Sequence, residues 1–462
     1  MATYLLFLII SASAFTILNA DVSLDCGSSD IYSDDNFITW TGDEPYIYHG
    51  QSMAVQSTKS VSRAMTTLRV FTDRKKSCYS FTVDKGSQVL VRASFFYGNY
   101  DKKSSPPSFD LQFDGNHWAT VVTSTDEVVY YEVIYVTKSD TASVCVAQTT
   151  PNMFPFISAI EVRNLDSKMY AHVDSNHALM LTRRVAYGAK DSIRFSDDLY
   201  DRIWAPAVNR GGFTVLSLAS TEFVDVTLND SPPRSVFENA FTTNSTSIAI
   251  TLATNLPETE VPIYMNIYFS EVSVLDSTDK RSFELYIDGK SQSDPIIPVY
   301  AKASGMYLSN FSASSKTVFS LQATSDSTLP PLINALEVFT VSDQLTDGTN
   351  GDDVTSGGAS PTSSKKKSSK TPIILGTVIP VFVLVWVVVG VFAVLRHKRK
   401  SAAIAAGQAG GANRANGTPD QAAGKMQMQM QMAANNMAQN VVNDFRVNIQ
   451  EDQNQSTQDQ QS

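Results

Sequence analysis

Phe109–Asn116 (FDLQFDGN) alternates apolar with polar side chains and ends in an Asp-Gly-Asn turn sequence. Phe283–Lys290 (FELYIDGK) repeats the pattern at an offset of 283 − 109 = 174 residues. Alternation with a period of two is typical of a strand that buries one face, and Asp-Gly is a common hairpin turn. The two octets therefore predict the same hairpin in two places.

Further matches flank the octets in the same order. Leu90–Tyr97 aligns with Tyr264–Glu271, and Phe156–Asn164 aligns with Leu332–Thr340, both at nearly the same offset. A tandem duplication accounts for this constant spacing. We predict a first lobe over residues 21–186, an inter-lobe connection over 187–209 and a second lobe over 210–341.

Short strand-forming runs fill residues 21–341. Examples are Gln88–Tyr97, Val128–Thr137 and Val261–Ser270, which are rich in Val, Ile, Phe and Tyr. Turn residues separate such runs about every ten positions, as in β-sandwiches. The predicted fold class is mostly β, with two sandwich lobes and no amphipathic helix longer than two turns.

The C-terminal part contains one long apolar stretch. Ile373–Leu395 (IILGTVIPVFVLVWVVVGVFAVL) has no charged residue, and at about 1.5 Å per residue a helix of this length crosses a bilayer. We predict a single transmembrane helix over 373–395. The Ser/Thr/Gly/Asp/Lys-rich residues 342–372 predict a flexible stalk, and the low-complexity residues 396–462 predict a disordered cytoplasmic tail.

The N-terminus sets the orientation. Leu5–Phe15 is a short apolar run followed by small residues, which predicts a cleaved signal peptide over residues 1–20. Lys and Arg are balanced on the two sides of the predicted span, so they do not decide the orientation. We expect a single-pass type I plasma-membrane protein whose N-terminal domain is extracellular.

Composition limits the possible partners. The net charge of −10 argues against nucleic acid and against a basic membrane-binding surface. The three cysteines permit one disulfide and one free thiol. Stability must therefore come mainly from apolar cores.

Several motifs together resemble the malectin-like ectodomain of plant receptor kinases. They are LDCG (24–27), RASFFYGNYD (92–101), SFDLQFDGNHW (108–118), PFISAIEVRNL (155–165), DDLYDRIWAP (197–206) and STLPPLINALEVF (327–339). The resemblance implies two jelly-roll-like β-sandwich lobes related to the lectin malectin. It also implies a cell-surface role in sensing wall polysaccharide or secreted peptides. Unlike most of that family, this sequence shows no kinase signature after the span and no leucine-rich repeat before it.

The resemblance also suggests a sugar site. Tyr97, Tyr100 and Asp101 belong to a Gly-containing polar loop, and Trp118 ends the next strand pair. Aromatic rings stack on sugars while carboxylates hold hydroxyl groups. Gly98 stands where a second aromatic residue of the malectin site would be, and the alternative is that Tyr97 and Tyr100 pack the edge of the sandwich.

Catalysis and metal binding find little support. Asp110 and Asp114 could share one face of a strand, but Asp114 is better explained as a turn former, like Asp288 in the second copy. The histidines His49, His117, His172 and His177 lack a clustered ligand spacing. We expect no enzymatic activity, no metal and no cofactor.

The densest charged and aromatic cluster lies at the predicted junction. Asp197, Asp198, Asp201, Arg202 and Trp204 predict a structural role in which the indole packs in a crease and Arg202 pairs with an acid to fix the lobe angle. A ligand cleft between the lobes is the alternative.

Two kinds of covalent modification are expected. Asn-X-Ser/Thr sequons occur at Asn244, Asn310 and Asn229, the last weakened by Pro232. For the disulfide we favour Cys78–Cys145, although Cys26 could replace either partner.

Two functional hypotheses follow. One is a receptor-like protein that binds a glycan or secreted peptide and signals through a partner receptor kinase in the membrane. The other is a structural or adhesion protein that tethers the membrane to the cell wall. The segment VVNDFRVNI (441–449) should matter for signalling only in the first.

Overall fold

The computed structural model describes residues 21–56, 61–209, 211–219 and 221–346. The predicted signal peptide, transmembrane span, cytoplasmic tail and most of the stalk lie outside these residues. In the described ranges, no helix has the length and apolar character that a bilayer crossing requires. The described chain consists of strands and two short 3₁₀ helices, so the mostly-β prediction is confirmed.

The strands are numbered in chain order. The first thirteen are β1 (Val22–Asp25), β2 (Ile31–Ser33), β3 (Thr39–Gly42), β4 (Gln51–Ala54), β5 (Thr67–Val70), β6 (Lys76–Thr82), β7 (Gln88–Phe95), β8 (Ser108–Phe113), β9 (Asn116–Val122), β10 (Val129–Val136), β11 (Thr141–Ala147), β12 (Phe156–Ile157) and β13 (Ala159–Leu165). The remaining strands are β14 (Leu179–Ala186), β15 (Ala205–Pro206), β16 (Thr214–Ser217), β17 (Asn239–Thr242), β18 (Ile250–Leu252), β19 (Val261–Phe269), β20 (Phe283–Ile287), β21 (Lys290–Ser291), β22 (Ser304–Ala313), β23 (Phe319–Ala323), β24 (Leu332–Ile333) and β25 (Ala335–Val341). The 3₁₀ helices are Arg63–Met65 and Arg234–Phe237.

One large sheet runs through both copies in the order β2-β3-β1-β13-β7-β10-β14-β25-β19-β22. Its strands β1-β13-β7-β10 are repeated by β14-β25-β19-β22. The four-stranded sheet β6-β11-β8-β9 is likewise repeated by β18-β23-β20-β21, and β12-β5-β4 by β24-β17-β16. The topology is therefore a duplication of one sandwich unit.

The second copy begins earlier than the predicted boundary. β14 occupies the place of β1, and the short β15 pairs with it in parallel as β3 pairs with β1. Residues 187–209, predicted as a connection, are thus part of the second copy. β14 has seven paired positions with β25 but only two with β10, so it belongs mainly to the second lobe.

Each lobe is a sandwich with its own apolar core. In the first, one face of the large sheet packs on β6-β11-β8-β9, with Phe95, Phe109 and Phe156 at mutual ring distances of 5.6–6.3 Å. In the second, Phe269 packs on Phe283 at 5.3 Å between the corresponding sheets. Strands that alternate inward apolar residues with outward polar ones produce this arrangement.

The opposite face of the large sheet is also covered. Segments around residues 166–177, 189–204 and 224–237 lie on it, with Tyr170 packed on Tyr264 and Phe339 of the second lobe. These segments bridge both copies, so the two lobes form one compact unit.

Two local features were anticipated. Asp114 and Asp288 both have positive φ (43° and 48°) in matching hairpins, as Asp-Gly turns require. Cys78 and Cys145 face each other across β6 and β11 and form the disulfide, which leaves Cys26 as a buried free thiol.

The start of the predicted stalk is fixed against the first lobe. Leu345 is buried in the first core, and its N–H donates to the carbonyl of Asn176 at 2.8 Å. Thr346 N–H donates to Asn116 Oδ1 at 3.0 Å. Residues 342–346 therefore pack against the first lobe, and the flexible part predicted from composition does not begin at 342.

Candidate ligand-binding surfaces

The structure buries the three aromatic rings of the predicted sugar site. Tyr97, Tyr100 and Trp118 are 0%, 7% and 5% exposed. Tyr97 packs edge-on against Tyr100 at 5.5 Å, and its ring is tilted against that of Phe156 at 6.4 Å. Burial and the neighbouring carboxylate of Asp101 raise the pKa of Tyr97.

The loop around these rings is closed by its own hydrogen bonds. The Tyr97 hydroxyl donates to Asp101 Oδ1 at 2.5 Å and accepts from Ser105 N–H at 3.1 Å. Gly98 has φ +48°, and a Cβ there would lie 2.6 Å from Val55. A larger residue has no room at this position, and no ring offers a face to solvent. Sugar binding here stays a prediction that would require the loop to open.

A row of buried charges crosses the outer face of the large sheet. Glu161, Arg92 and Glu132 are direct partners on β13, β7 and β10. Arg92 donates to Glu132 at 2.9 Å and to Glu161 at 3.0 Å. Desolvation of these charges is costly unless they are paired, and each of them is.

The same row continues into the second lobe through Arg184 on β14. Its Nη1 lies 2.7 Å from Glu132 Oε1, and its Nε donates to Glu337 on β25 at 2.7 Å. Tyr170 and Tyr268 donate their hydroxyls to Glu337, each at 2.8 Å. Arg184 therefore links carboxylates of two lobes.

The residues of the predicted junction cluster cover this row of buried charges. Arg202 pairs with Asp198 at 2.8 Å, and the Trp204 indole N–H donates to the same carboxylate oxygen at 2.8 Å. Trp204 is fully buried, and Arg202 also donates to the backbone carbonyls of Asp230 and Ser231. Both side chains are buried by these contacts, and the structural role stays a prediction.

Asp201 is the acidic centre of the cluster on the side of the first lobe. Its carboxylate accepts from Arg194 at 2.8 Å and from Arg163 at 2.8 Å, and Arg92 lies at 3.6 Å. Burial opposes ionisation, but the three guanidinium groups outweigh it and lower the pKa of Asp201 well below its ordinary value of 3.8. Burial likewise opposes ionisation of Glu337, yet Arg184 and Arg202 lower its pKa.

These lowered pKa values predict acid sensitivity. A carboxyl group with a folded-state pKa below its unfolded value stabilises the fold above about pH 4 and loses that contribution as the pH falls. Asp25 and Asp230, whose pKa values burial raises, act in the opposite direction. We expect the Asp201→Asn variant to be less stable at neutral pH and to lose less stability on acidification than the wild type. Urea unfolding at several pH values measures this, and parallel curves for both proteins would contradict it.

An exposed surface at the junction contains two depressions. A cleft of about 550 Å³ is lined by residues of 196–200 and 226–238. A second depression of about 160 Å³ is lined by Phe37, Phe195 and Leu199, with Arg163 and Asp201 among its lining residues. Leu199 borders both, so the two form one continuous surface, which we call the junction surface.

The junction surface is apolar and acidic. Phe37 and Leu199 are 77% and 75% exposed, which is unusual for large apolar side chains. Among the described lining residues, Asp21, Asp197 and Glu238 are exposed carboxylates, against one exposed cation, Arg234. Neither Phe37 nor Leu199 was predicted from the sequence, although both lie in SDD segments that recur in the two copies.

Asn244, Asn310 and the histidines do not line the junction surface, whereas Ser231 of the Asn229 sequon does. Asn229, Asn244 and Asn310 are exposed. His172 stacks on Tyr307 at 3.6 Å. Among the described residues, no group of three His, Cys, Asp or Glu side chains could hold a metal ion.

Comparisons with known proteins agree with this architecture. Residues 24–341 match the malectin-like domain family, so the chain belongs to that family. It is 37% identical over 343 residues to the uncharacterized protein At1g24485 of Arabidopsis thaliana, covering 73% of this chain and 68% of that one. It is 33% identical over 350 residues to the probable LRR receptor-like serine/threonine-protein kinase At1g05700 of the same plant, covering 72% of this chain but only 40% of the kinase.

Solved structures share the fold. The ANX2 ectodomain from Arabidopsis thaliana superposes with a TM-score of 0.60 at 15% identity, over 70% of this chain and 97% of that one. FER, in a complex with the plant peptide RALF23 and with LLG2, superposes with a TM-score of 0.58 at 16% identity, over 71% and 96%. At these identities the likeness establishes the fold alone.

Proposed function

We propose that this chain is a plant cell-surface receptor-like protein whose ectodomain binds a secreted peptide. Relatives include receptor-like kinases, and the structurally similar FER is found with a peptide and a second protein, LLG2. The observation that favours a peptide over a glycan is the burial of Tyr97, Tyr100 and Trp118. Sugar recognition needs an exposed ring face, whereas a peptide can use apolar side chains and charge.

The junction surface is the proposed peptide site. An apolar peptide side chain would sit between Phe37 and Leu199, where burial of about 25 cal/mol per Å² of apolar surface favours binding. Cationic peptide groups would pair with Asp197 and Glu238, since the exposed charge of this surface is mainly negative. The proposed ligand is therefore a basic peptide with at least one large apolar residue.

Signalling is proposed to pass through a partner. With the ectodomain outside the plasma membrane and a type I orientation, a bound peptide could bring a partner receptor kinase to this chain. The ion pairs between the lobes support this role, because a ligand on the junction surface would contact side chains of both lobes.

Binding of a secreted-peptide library to residues 21–346 tests the proposal, with a glycan array run in parallel. We expect Phe37→Ala and Leu199→Ala each to weaken peptide binding by about tenfold or more, which corresponds to 1.4 kcal/mol per factor of ten. Phe223→Ala is the matched control, because Phe223 is 78% exposed and does not line either depression. It should bind like the wild type.

Three results would overturn parts of the proposal. Glycan binding that the Asp101→Asn substitution abolishes would show that the ligand site is the loop around Tyr97. Equal losses of peptide affinity for Phe223→Ala and Phe37→Ala would show that the junction surface is not the binding site. No ligand in either screen would favour the structural or adhesion hypothesis.

A further inference from the structure

β22 (Ser304–Ala313) ends the large sheet. It pairs with β19 on one side, and among the described residues no strand pairs with its other side. It spans ten residues, which is long for an edge strand. An edge of unpaired N–H and C=O groups can pair with another chain, and natural proteins usually block it.

The strand carries a sequon at an irregular position. Its register with β19 shifts between Ile263 and Met265, and Asn310 adopts φ +55° in the shifted part. Asn310 and Ser312 are exposed, whereas Phe311 between them packs on Phe319 at 6.3 Å. The acceptor side chain is therefore accessible at the edge itself.

The other two sequons lack this setting. Asn229 lies in a tight turn, with Ser231 N–H bonded to Leu228 O and Pro232 next in sequence. Asn244 lies in an exposed turn between β17 and β18, away from β22 in the sheet order. Asn310 alone among the three lies on the terminal strand of the large sheet.

We propose that Asn310 carries an N-linked oligosaccharide that covers the edge of β22. This glycan would prevent the large sheets of two protein molecules from pairing edge to edge. The sugar donor is a lipid-linked oligosaccharide diphosphate in the secretory pathway. A bond forms between Asn310 Nδ2 and sugar C1, the C1–O bond to the diphosphate breaks, Nδ2 loses a proton and the lipid diphosphate leaves. A bulky, solvated glycan blocks strand addition as a charge or a proline does elsewhere.

The test uses the full chain produced in plant cells and solubilised in mild detergent. Mass spectrometry of the Asn310 peptide measures occupancy. Sedimentation velocity, together with co-precipitation of two differently tagged copies, measures self-association. Ser312→Ala removes the sequon and keeps Asn310, Ser312→Thr keeps the sequon, and Asn244→Gln removes a sequon away from the edge.

We expect Asn310 of the wild type to be glycosylated. The Ser312→Ala variant should lack this glycan and should self-associate. Ser312→Thr and Asn244→Gln should remain monomeric. Asn310→Asp lacks the glycan but places a charge at the edge, so it should associate less than Ser312→Ala. Enzymatic removal of the glycan from the folded wild type should also cause association, which separates edge protection from a folding defect. An unmodified Asn310, or a monomeric Ser312→Ala, would overturn the proposal.

Discussion

Arg184→Met is expected to lower the free energy of unfolding of residues 21–346 by about 3–5 kcal/mol, the usual cost of removing one partner from a buried ion pair. Arg184 is fully buried and lies between Glu132 of the first lobe and Glu337 of the second. Methionine fills a similar volume but leaves Glu337 without its paired guanidinium. Urea unfolding followed by tryptophan fluorescence measures the loss.

Position 183 supplies a matched control. Arg183 is the preceding residue on β14 and is partly exposed. Among the described residues, its side chain makes one hydrogen bond, a long 3.4 Å contact with Asn255. Arg183→Met should change the free energy of unfolding by less than about 1 kcal/mol. Similar losses for the two variants would mean that the ion pairs add little to the junction.

The junction is the place where Arg184 should matter most. β10 and β14 share two paired positions, so the large sheet has little backbone pairing where the lobes meet. Side chains on the outer face therefore supply much of the connection. The Arg184→Met variant should also become more sensitive to limited proteolysis in residues 187–209, because the segments that cover this row would open more often.

The duplication could be recognised from sequence because its clearest matches are local. The Asp-Gly turns that follow β8 and β20 need the same residue types, because both turns require positive φ values. The start of the second copy was harder to predict, because β1 (VSLD) and β14 (LMLTRRVA) share no pattern. A weaker signal existed in SDDNFITW (33–40) and SDDLYDRIW (196–204).

That signal has a shared physical basis. Asp34 accepts a hydrogen bond from the Trp40 indole at 2.9 Å, as Asp198 does from Trp204 at 2.8 Å. In both copies the acid precedes its tryptophan by six residues. The predicted junction cluster is thus the second copy of a structural motif, to which Arg202 adds a buried charge.

The outcome for the predicted sugar-site residues was less predictable, because burial depends on contacts between distant residues. Tyr97 and Tyr100 lie in a polar Gly-containing loop, yet Phe156 packs against both rings and excludes solvent. The row of buried charges was equally hard to predict from sequence, since Arg92 and Glu132 are each the one charged residue of an otherwise largely apolar strand. Only the register of the sheet brings them together.

The Cys78–Cys145 disulfide should be the largest covalent contribution to stability. It closes a loop of 67 residues, and the chain-entropy estimate for that length is about 4 kcal/mol. We expect the double variant Cys78→Ala/Cys145→Ala of residues 21–346 to lose about this amount. Urea unfolding measures the loss, and Cys26→Ala, which retains the cross-link, is the control.

The slope of the unfolding curve separates this mechanism from a packing defect. The disulfide restricts the unfolded chain, so its removal should expose more surface on unfolding and raise the m-value along with lowering the midpoint. Cys26→Ala removes a buried sulfur and leaves the unfolded chain cross-linked, so its midpoint should fall with an unchanged m-value. If the double variant also kept the wild-type m-value, its loss of stability would come from the cavity left by two sulfurs between β6 and β11, and the cross-link would contribute little.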